Sequence, residues 1–274
     1  MRRRYGKEDP AKSDRRVGIV LTIFGIAFLI ALGGGAWWLR RQIPRIDEQT
    51  NCPSSGPSAV HIIMFDRSDP ISGQQAQQIK QAVDGYKMVA PFGYRFDIYT
   101  FESDSGSVLK PVLEICSPGN PDAANPLIKN PQQLRKQYEE KFASVLDRTV
   151  DDLLRVHTLA SSPIIESLRA AAITSFGGLS SQPIPLRVMM ISDMVQNTSA
   201  VSHFKTEPDF GRLSKSPVWP TLRPALKGAE VNIFYLLRPS ATRGGAQIQT
   251  RGHQAFWEQL IKASDGEVAE IRPI

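Results

Sequence analysis

The sequence predicts an α/β domain: a mostly parallel, Rossmann-like sheet with one antiparallel edge strand and helices on both faces, behind one N-terminal transmembrane helix. Three observations carry this. Short apolar, β-branched runs alternate with stretches of helical periodicity, a proline interrupts one strand of an early hairpin, and 23 consecutive residues near the N-terminus carry no charge. Alternating strands and helices favour parallel pairing. A proline cannot donate to a ladder, so its strand belongs at an edge.

The uncharged run is Val17 to Leu39. At a 1.5 Å rise per residue it is long enough for a hydrocarbon core of about 30 Å. Seven Lys/Arg precede it and three follow closely, a bias that holds the tail 1–16 in the cytoplasm and sends the C-terminal part across. Trp37 and Trp38, followed by Arg40 and Arg41, suit the far interface. The competing reading is a cleaved signal peptide ending at Ala31-Leu32-Gly33. Paired tryptophans have a role only in a helix that stays. Ala27, Ala31 and Gly35 leave one face of this helix small.

Residues 40–58 are rich in Pro, Ser and Gly and read as a tether, with the domain expected over 59–274. Ala59 to Phe65 is a nearly continuous apolar run, as in a central strand covered on both faces. Ser72 then offers an N-cap with Gln75 three residues on, before apolar positions at helical spacing. Tyr94 to Phe101 and Val108 to Ile115 read as a hairpin around a Ser/Asp/Gly turn, the second strand marked as an edge by Pro111. Asn130-Pro131 opens a long helix over 131–156, with Leu134, Tyr138, Phe142, Leu146 and Val150 on one stripe. Pro185 to Ile191 and Val231 to Leu236 are further buried strands, and Glu267 to Ile271 a last short one. Ser199 to Gly228 reads as a loop with at most a short helix and exposed aromatics, and Gln254 to Ala263 as the final helix.

The net charge of +6 is concentrated at the N-terminus: residues 1–45 hold ten Lys/Arg and three acids, and the remainder is close to neutral at −1. Composition therefore gives no support for nucleic-acid binding. Export to an oxidising compartment would make Cys52 and Cys116 the candidates for a disulfide, two buried thiols being the alternative. No phosphate-binding glycine loop, Gly-x-Ser-x-Gly elbow or His-Glu-x-x-His motif occurs. His61, His157, His203 and His253 are scattered without metal-pair spacing, and His61 reads as a core residue. With no base beside a nucleophile, an enzyme is not expected.

Ligands of parallel sheets gather beyond the carboxyl ends of the central strands. Asp66-Arg67-Ser68-Asp69-Pro70-Ile71-Ser72 follows the first strand and Ser192-Asp193-Met194 the fourth; between them Ser161-Ser162-Pro163 enters a helix. Over residues 59–272 these segments resemble the von Willebrand factor A-like family. Its metal-ion-dependent adhesion site uses Asp-x-Ser-x-Ser after the first strand, a Thr on a later loop and an Asp after the fourth strand. The resemblance matches Asp66 and Ser68 to the first acid and serine, Ser162 to the Thr and Asp193 to the second acid. Pro70 departs from the motif, and Asp69 or Ser72 would have to replace the missing serine.

Oxygen ligands from three loops suit Mg²⁺ or another divalent cation. The resemblance implies a metal site of Asp66, Ser68, Asp69, Ser162 and Asp193, with a partner's carboxylate completing it. It also implies that Cys116 ends at the opposite pole, near Cys52. The alternative without metal has Asp66 capping a helix and Asp193 ordering its own loop.

The function expected is a membrane-anchored domain that binds a protein partner in an envelope complex, at a bacterial inner membrane with the domain in the periplasm. The alternatives are a metal-dependent hydrolase built on Asp66, Asp69 and Asp193, and a structural scaffold using the helix 131–156 as its contact surface.

Overall fold

A computed structural model of the chain describes residues 10–42, 44–68, 70–101, 109–123, 130–155, 162–179, 183–239 and 247–274. The chain divides into two compact units, Met1–Arg45 and Ile46–Ile274. The described residues of the first contain one helix, α1 (Pro10–Gln42), in which Ile19–Trp38 is long and apolar enough to cross a membrane. The large apolar side chains of that span are exposed rather than packed on protein. A helix that is apolar all round and unburied suits a lipid environment.

The second unit is built on a six-stranded sheet. Its strands are β1 (Ala59–Phe65), β2 (Tyr94–Thr100), β3 (Leu113–Cys116), β4 (Leu186–Ser192), β5 (Ala229–Tyr235) and β6 (Gly266–Pro273), in the order β3-β2-β1-β4-β5-β6. All neighbours are parallel except β2 and β3. This is the von Willebrand factor A-like α/β class that the sequence predicts. The order reverses between β1 and β4, which are paired from Val60↔Leu186 to Phe65↔Ile191, so the switch point lies beyond Phe65 and Ser192.

Helices cover both faces. They are α2 (Gly73–Val89), α3 (Pro131–Tyr138), α4 (Ser144–Arg155), α5 (Ile164–Gly177), α6 (Phe210–Ser214), α7 (Trp219–Leu222) and α8 (Arg251–Ala263). Alternation along β1 sends Val60, Ile62 and Met64 into a core shared with α5 and α8, and Ile63 and Phe65 into one shared with α2 and α4. Every residue of β1 is consequently buried, which is why its sequence is apolar without alternation. His61 belongs to this strand; its Nδ1 lies 3.4 Å from the Tyr94 hydroxyl, whereas its Nε2 is buried without a hydrogen-bond partner.

Several elements differ from the sequence reading. The long helix is interrupted by a π turn at Glu139–Ala143. Apolar residues spaced by four drift about 40° per step on a 3.6-residue helix, and a wider turn takes back part of that drift. Tyr138, Phe142, Leu146 and Val150 thus reach one core. β3 is shorter than expected, beginning after Pro111; residues 103–107, expected as its hairpin turn, lie outside the described residues. The region 199–228 contains the short helices α6 and α7, and Phe210 and Trp219 pack edge-on at 5.2 Å instead of standing exposed.

From Ile46 onward the expected tether is folded onto the domain. Ile46 bridges to Pro53, Thr50 O accepts the Cys116 N–H at 2.8 Å, Ser58 N–H donates to Gly93 O at 2.9 Å, and Cys52 is disulfide-bonded to Cys116. Polar backbone in an irregular segment is satisfied here by the sheet's lower edge.

Candidate functional site at the carboxyl ends of the central strands

The register of β1 and β4 places Asp66 and Ser192–Asp193 at one pole. Asp66 continues β1, its N–H donating to Ile191 O at 2.9 Å. Both oxygens of its buried carboxylate accept a bond: Oδ1 accepts the Ser68 N–H at 2.9 Å, a local turn that carries the chain off the strand, and Oδ2 accepts the Ser192 hydroxyl at 2.6 Å. Ser192 Oγ in turn accepts the Met194 N–H at 2.8 Å.

Asp193 is also buried. Its Oδ1 accepts the Val195 N–H at 2.8 Å, and its Oδ2 is in a salt bridge with Nε of Arg238. Arg238 lies just past β5, the strand beside β4, where Leu236 N–H donates to Ser192 O. The side chain of Gln249 fastens both partners: Oε1 accepts the Arg238 N–H at 2.8 Å, and Nε2 donates to Asp193 O at 3.1 Å and Leu236 O at 2.9 Å. The Phe204 ring lies 6.0 Å from the guanidinium carbon.

Ser162 is buried and bridges to Asn197, whose N–H donates to Ser162 O at 3.0 Å. The three loops are thereby tied together: the segment 192–197 touches Asp66 through Ser192 and Ser162 through Asn197. Ser68 Oγ is buried without a hydrogen-bond partner. Ser72 is the N-cap of α2 in a full capping box with Gln75, so its oxygen is engaged with the helix. Asp69 lies outside the described residues, as do Ser161 and His157. Among the described residues, no three His, Cys, Asp or Glu side chains converge as a metal cluster.

The turn after Asp193 depends on a network the sequence reading missed. Met194 has φ of +61°, a conformation uncommon for a side chain of its size. Its carbonyl lies 3.0 Å from His253 Nε2 and accepts the Trp257 indole N–H at 2.9 Å. His253 Nδ1 meets the Tyr235 hydroxyl at 2.5 Å, and its Nε2 lies 3.0 Å from His203 Nδ1. Burial holds both imidazoles well below the ordinary histidine range, His203 at about 3 and His253 at about 4, and pushes the Tyr235 hydroxyl up. Neutral rings therefore brace the site loop from below.

A cleft of about 370 Å³ opens at this pole. Asp193 and Arg238 line it together with Ser72, Gln75 and an apolar rim of Pro70, Leu237 and Pro239. A wider cleft of about 580 Å³ lies at the other end of the sheet, between Ile46–Asn51 and α3, and its lining contains Phe92, Asn130 and Leu134. The Asp193–Arg238 ion pair and the switch point belong to the first cleft.

The fold is a mostly parallel α/β sheet of von Willebrand factor A-like strand order with two buried acids at one pole, and the chain also contains a helix of membrane-spanning length. One solved structure with some similarity is described as an aerotolerance-related membrane protein from Bacteroides fragilis NCTC 9343 with multiple mutations to serines. The match has 16% sequence identity, covers 79% of this chain and 91% of that one, and has a TM-score of 0.34. No family model and no curated protein matches the chain. The fold class accordingly rests on the strand order and register.

Proposed function

We propose that this chain is a membrane-anchored von Willebrand factor A-like protein. Its domain lies in the periplasm of a bacterium and binds another protein of an envelope complex through the pole at the carboxyl ends of β1 and β4. The observation that carries the reading is the cleft at the switch point, where buried Asp193 is paired with half-buried Arg238 and the lining includes the apolar Pro70, Leu237 and Pro239. Concave sites with a few fixed polar groups and an apolar border are the usual form of recognition surfaces. Export is supported by the Cys52–Cys116 disulfide and by the basic residues that precede the apolar helix.

The test uses the full chain in detergent. Leu237 is 51% exposed on the rim, and Ile173 is 41% exposed on α5. A partner that co-purifies with the wild-type protein and with Ile173→Glu, but not with Leu237→Glu at an unchanged unfolding midpoint, is the expected result. Equal recovery with both variants would remove the cleft from the binding surface. A C-terminal alkaline phosphatase fusion should be active, and an inactive fusion would place the domain in the cytoplasm.

A further inference from the structure

We infer that Arg238 supplies, from within the chain, the positive charge that a divalent cation supplies in metal-dependent adhesion sites, so that this pole works without metal. The statement about the ion stands on geometry alone. Its consequence, that partner binding survives chelation, rests on the function proposed above.

All four carboxylate oxygens of Asp66 and Asp193 already accept a bond from the protein: from Ser68 N–H, Ser192 Oγ–H, Val195 N–H and the Arg238 guanidinium. A small hard cation needs carboxylate lone pairs aimed at one shared point. Here two of the four oxygens accept backbone amides of their own loops, and a third accepts the hydroxyl at the end of the neighbouring strand. The fourth faces a permanent positive charge, because guanidinium does not deprotonate in proteins. A divalent ion bound to Asp193 would therefore lie against a like charge.

The pair is built rather than incidental. The Arg238 side chain is 16% exposed and that of Asp193 3%, so solvent screens their attraction weakly. Gln249 fixes the backbone of both residues, and Phe204 flanks the guanidinium. The motif position that would supply a further oxygen is Pro70, which has none. Among the described residues, Ser68 Oγ, buried and unpartnered, and Ser162 add only neutral hydroxyls, which cannot hold a divalent ion against a guanidinium. In effect Asp193 has a cation tethered to its own chain. It cannot be chelated away, and it is present from the moment the chain folds.

The experiment is a Mn²⁺ titration of the full-length protein in micelles, followed by electron paramagnetic resonance, with thermal unfolding in excess EDTA and in excess Mg²⁺ alongside. Wild-type protein should show no saturable Mn²⁺ binding at micromolar concentration and an unfolding midpoint that moves by less than about 1 °C with either addition. Stoichiometric Mn²⁺ binding that disappears in Asp193→Asn would overturn the inference, as would a midpoint lowered by EDTA. Arg238→Met should unfold several degrees earlier and regain part of that loss with Mg²⁺ or Mn²⁺, because Asp193 has lost its internal counter-charge. An Arg238→Met protein with the wild-type midpoint and no response to cations also overturns it. Should this variant fail to fold, the wild-type titration still decides. Where a partner has been found by the rim test, EDTA should leave it bound. Release by EDTA refutes the built-in cation while leaving partner binding intact. A failure to recover any partner refutes the binding function and leaves the ion result standing.

Discussion

The Ser192 hydroxyl donates to Asp66 Oδ2 at 2.6 Å while its oxygen accepts the Met194 N–H at 2.8 Å, so one side chain joins the ends of β1 and β4 and starts the turn that presents Asp193. Ser192 is fully buried, and no bulk water can replace it. Ser192→Ala therefore leaves a buried carboxylate oxygen and a backbone N–H each short of one bond. The expected cost is about 1–3 kcal/mol, read as a fall in the urea midpoint with an unchanged denaturant slope. An unchanged midpoint would show that this hydroxyl does not hold the pole together.

Acid should weaken the domain. His203, His253 and His61 are neutral in the fold, depressed to about 3, 4 and 3 from an ordinary value of 6.5, chiefly by burial. A depressed histidine binds fewer protons folded than unfolded, so its contribution is complete above pH 6.5 and is lost as the pH falls toward the folded value. Each group then costs about 1.4 kcal/mol per pH unit. Asp97, pushed up to about 6 by burial against the pull of Arg95, takes up a proton over part of the same range and offsets some of the loss. Stability should thus drop by a few kcal/mol between pH 7 and pH 5, measured by urea unfolding at each pH. His203→Phe, placed against Phe256, should flatten that slope by roughly one histidine's share. A profile that stays flat from pH 7 to 5 in the wild type would mean the rings are not held neutral by the fold.

The Cys52–Cys116 disulfide closes a loop with a sequence separation of 64 and pins the segment from Ile46 to the end of β3. In the chain-entropy model such a loop contributes roughly 4 kcal/mol through the unfolded state. Replacing both cysteines by Ala should lower stability by about that amount and expose 46–58 to proteases earlier than the sheet. Equal stability of the double variant and the parent, under oxidising conditions, would argue that Thr50 O and Ser58 N–H hold this segment unaided.

The parts of the fold legible in the sequence are those set by local chemistry and burial. β1 reads as a central strand because both its faces are covered, and the start of α2 reads correctly because Ser72 and Gln75 satisfy each other's backbone. Pro111 announces the β3 edge for want of an N–H. Asp66 and Asp193 announce themselves as acids at strand ends, but the donors that engage their oxygens do not. Arg238 is one basic residue among 33, and only the pairing of Ser192 with Tyr235 on the neighbouring strand brings it to Asp193. His203 and His253 are 50 residues apart, with no spacing to suggest that they share a hydrogen bond. The strap from Ile46 reads as a linker because its stabilisation comes from backbone bonds to other segments, which leave no periodic trace.

Gly266 opens β6 where the final helix hands the chain back to the sheet, directly after Asp265 with φ of +60°. A Cβ added there would stand 2.6 Å from Leu226 Cδ1 and 3.1 Å from Ile261 Cγ2. Leu226 and Ile261 are both fully buried, and Ile261 belongs to the α8 stripe that covers the sheet. A close-packed interior cannot yield half an ångström or more without moving a helix. Gly266→Ala should accordingly cost about 1–3 kcal/mol by overpacking, although alanine is otherwise the better residue for an ordered chain. In a Leu226→Ala background the tightest contact is gone while those with Ile261 Cγ2 at 3.1 Å and the Cβ of residue 226 at 3.2 Å remain, so the added penalty should shrink without vanishing. A double-mutant cycle by urea unfolding measures this directly, with a coupling on the order of 1 kcal/mol expected. Additive penalties would instead place the cost in the contact with Ile261 and not in that with the Leu226 side chain.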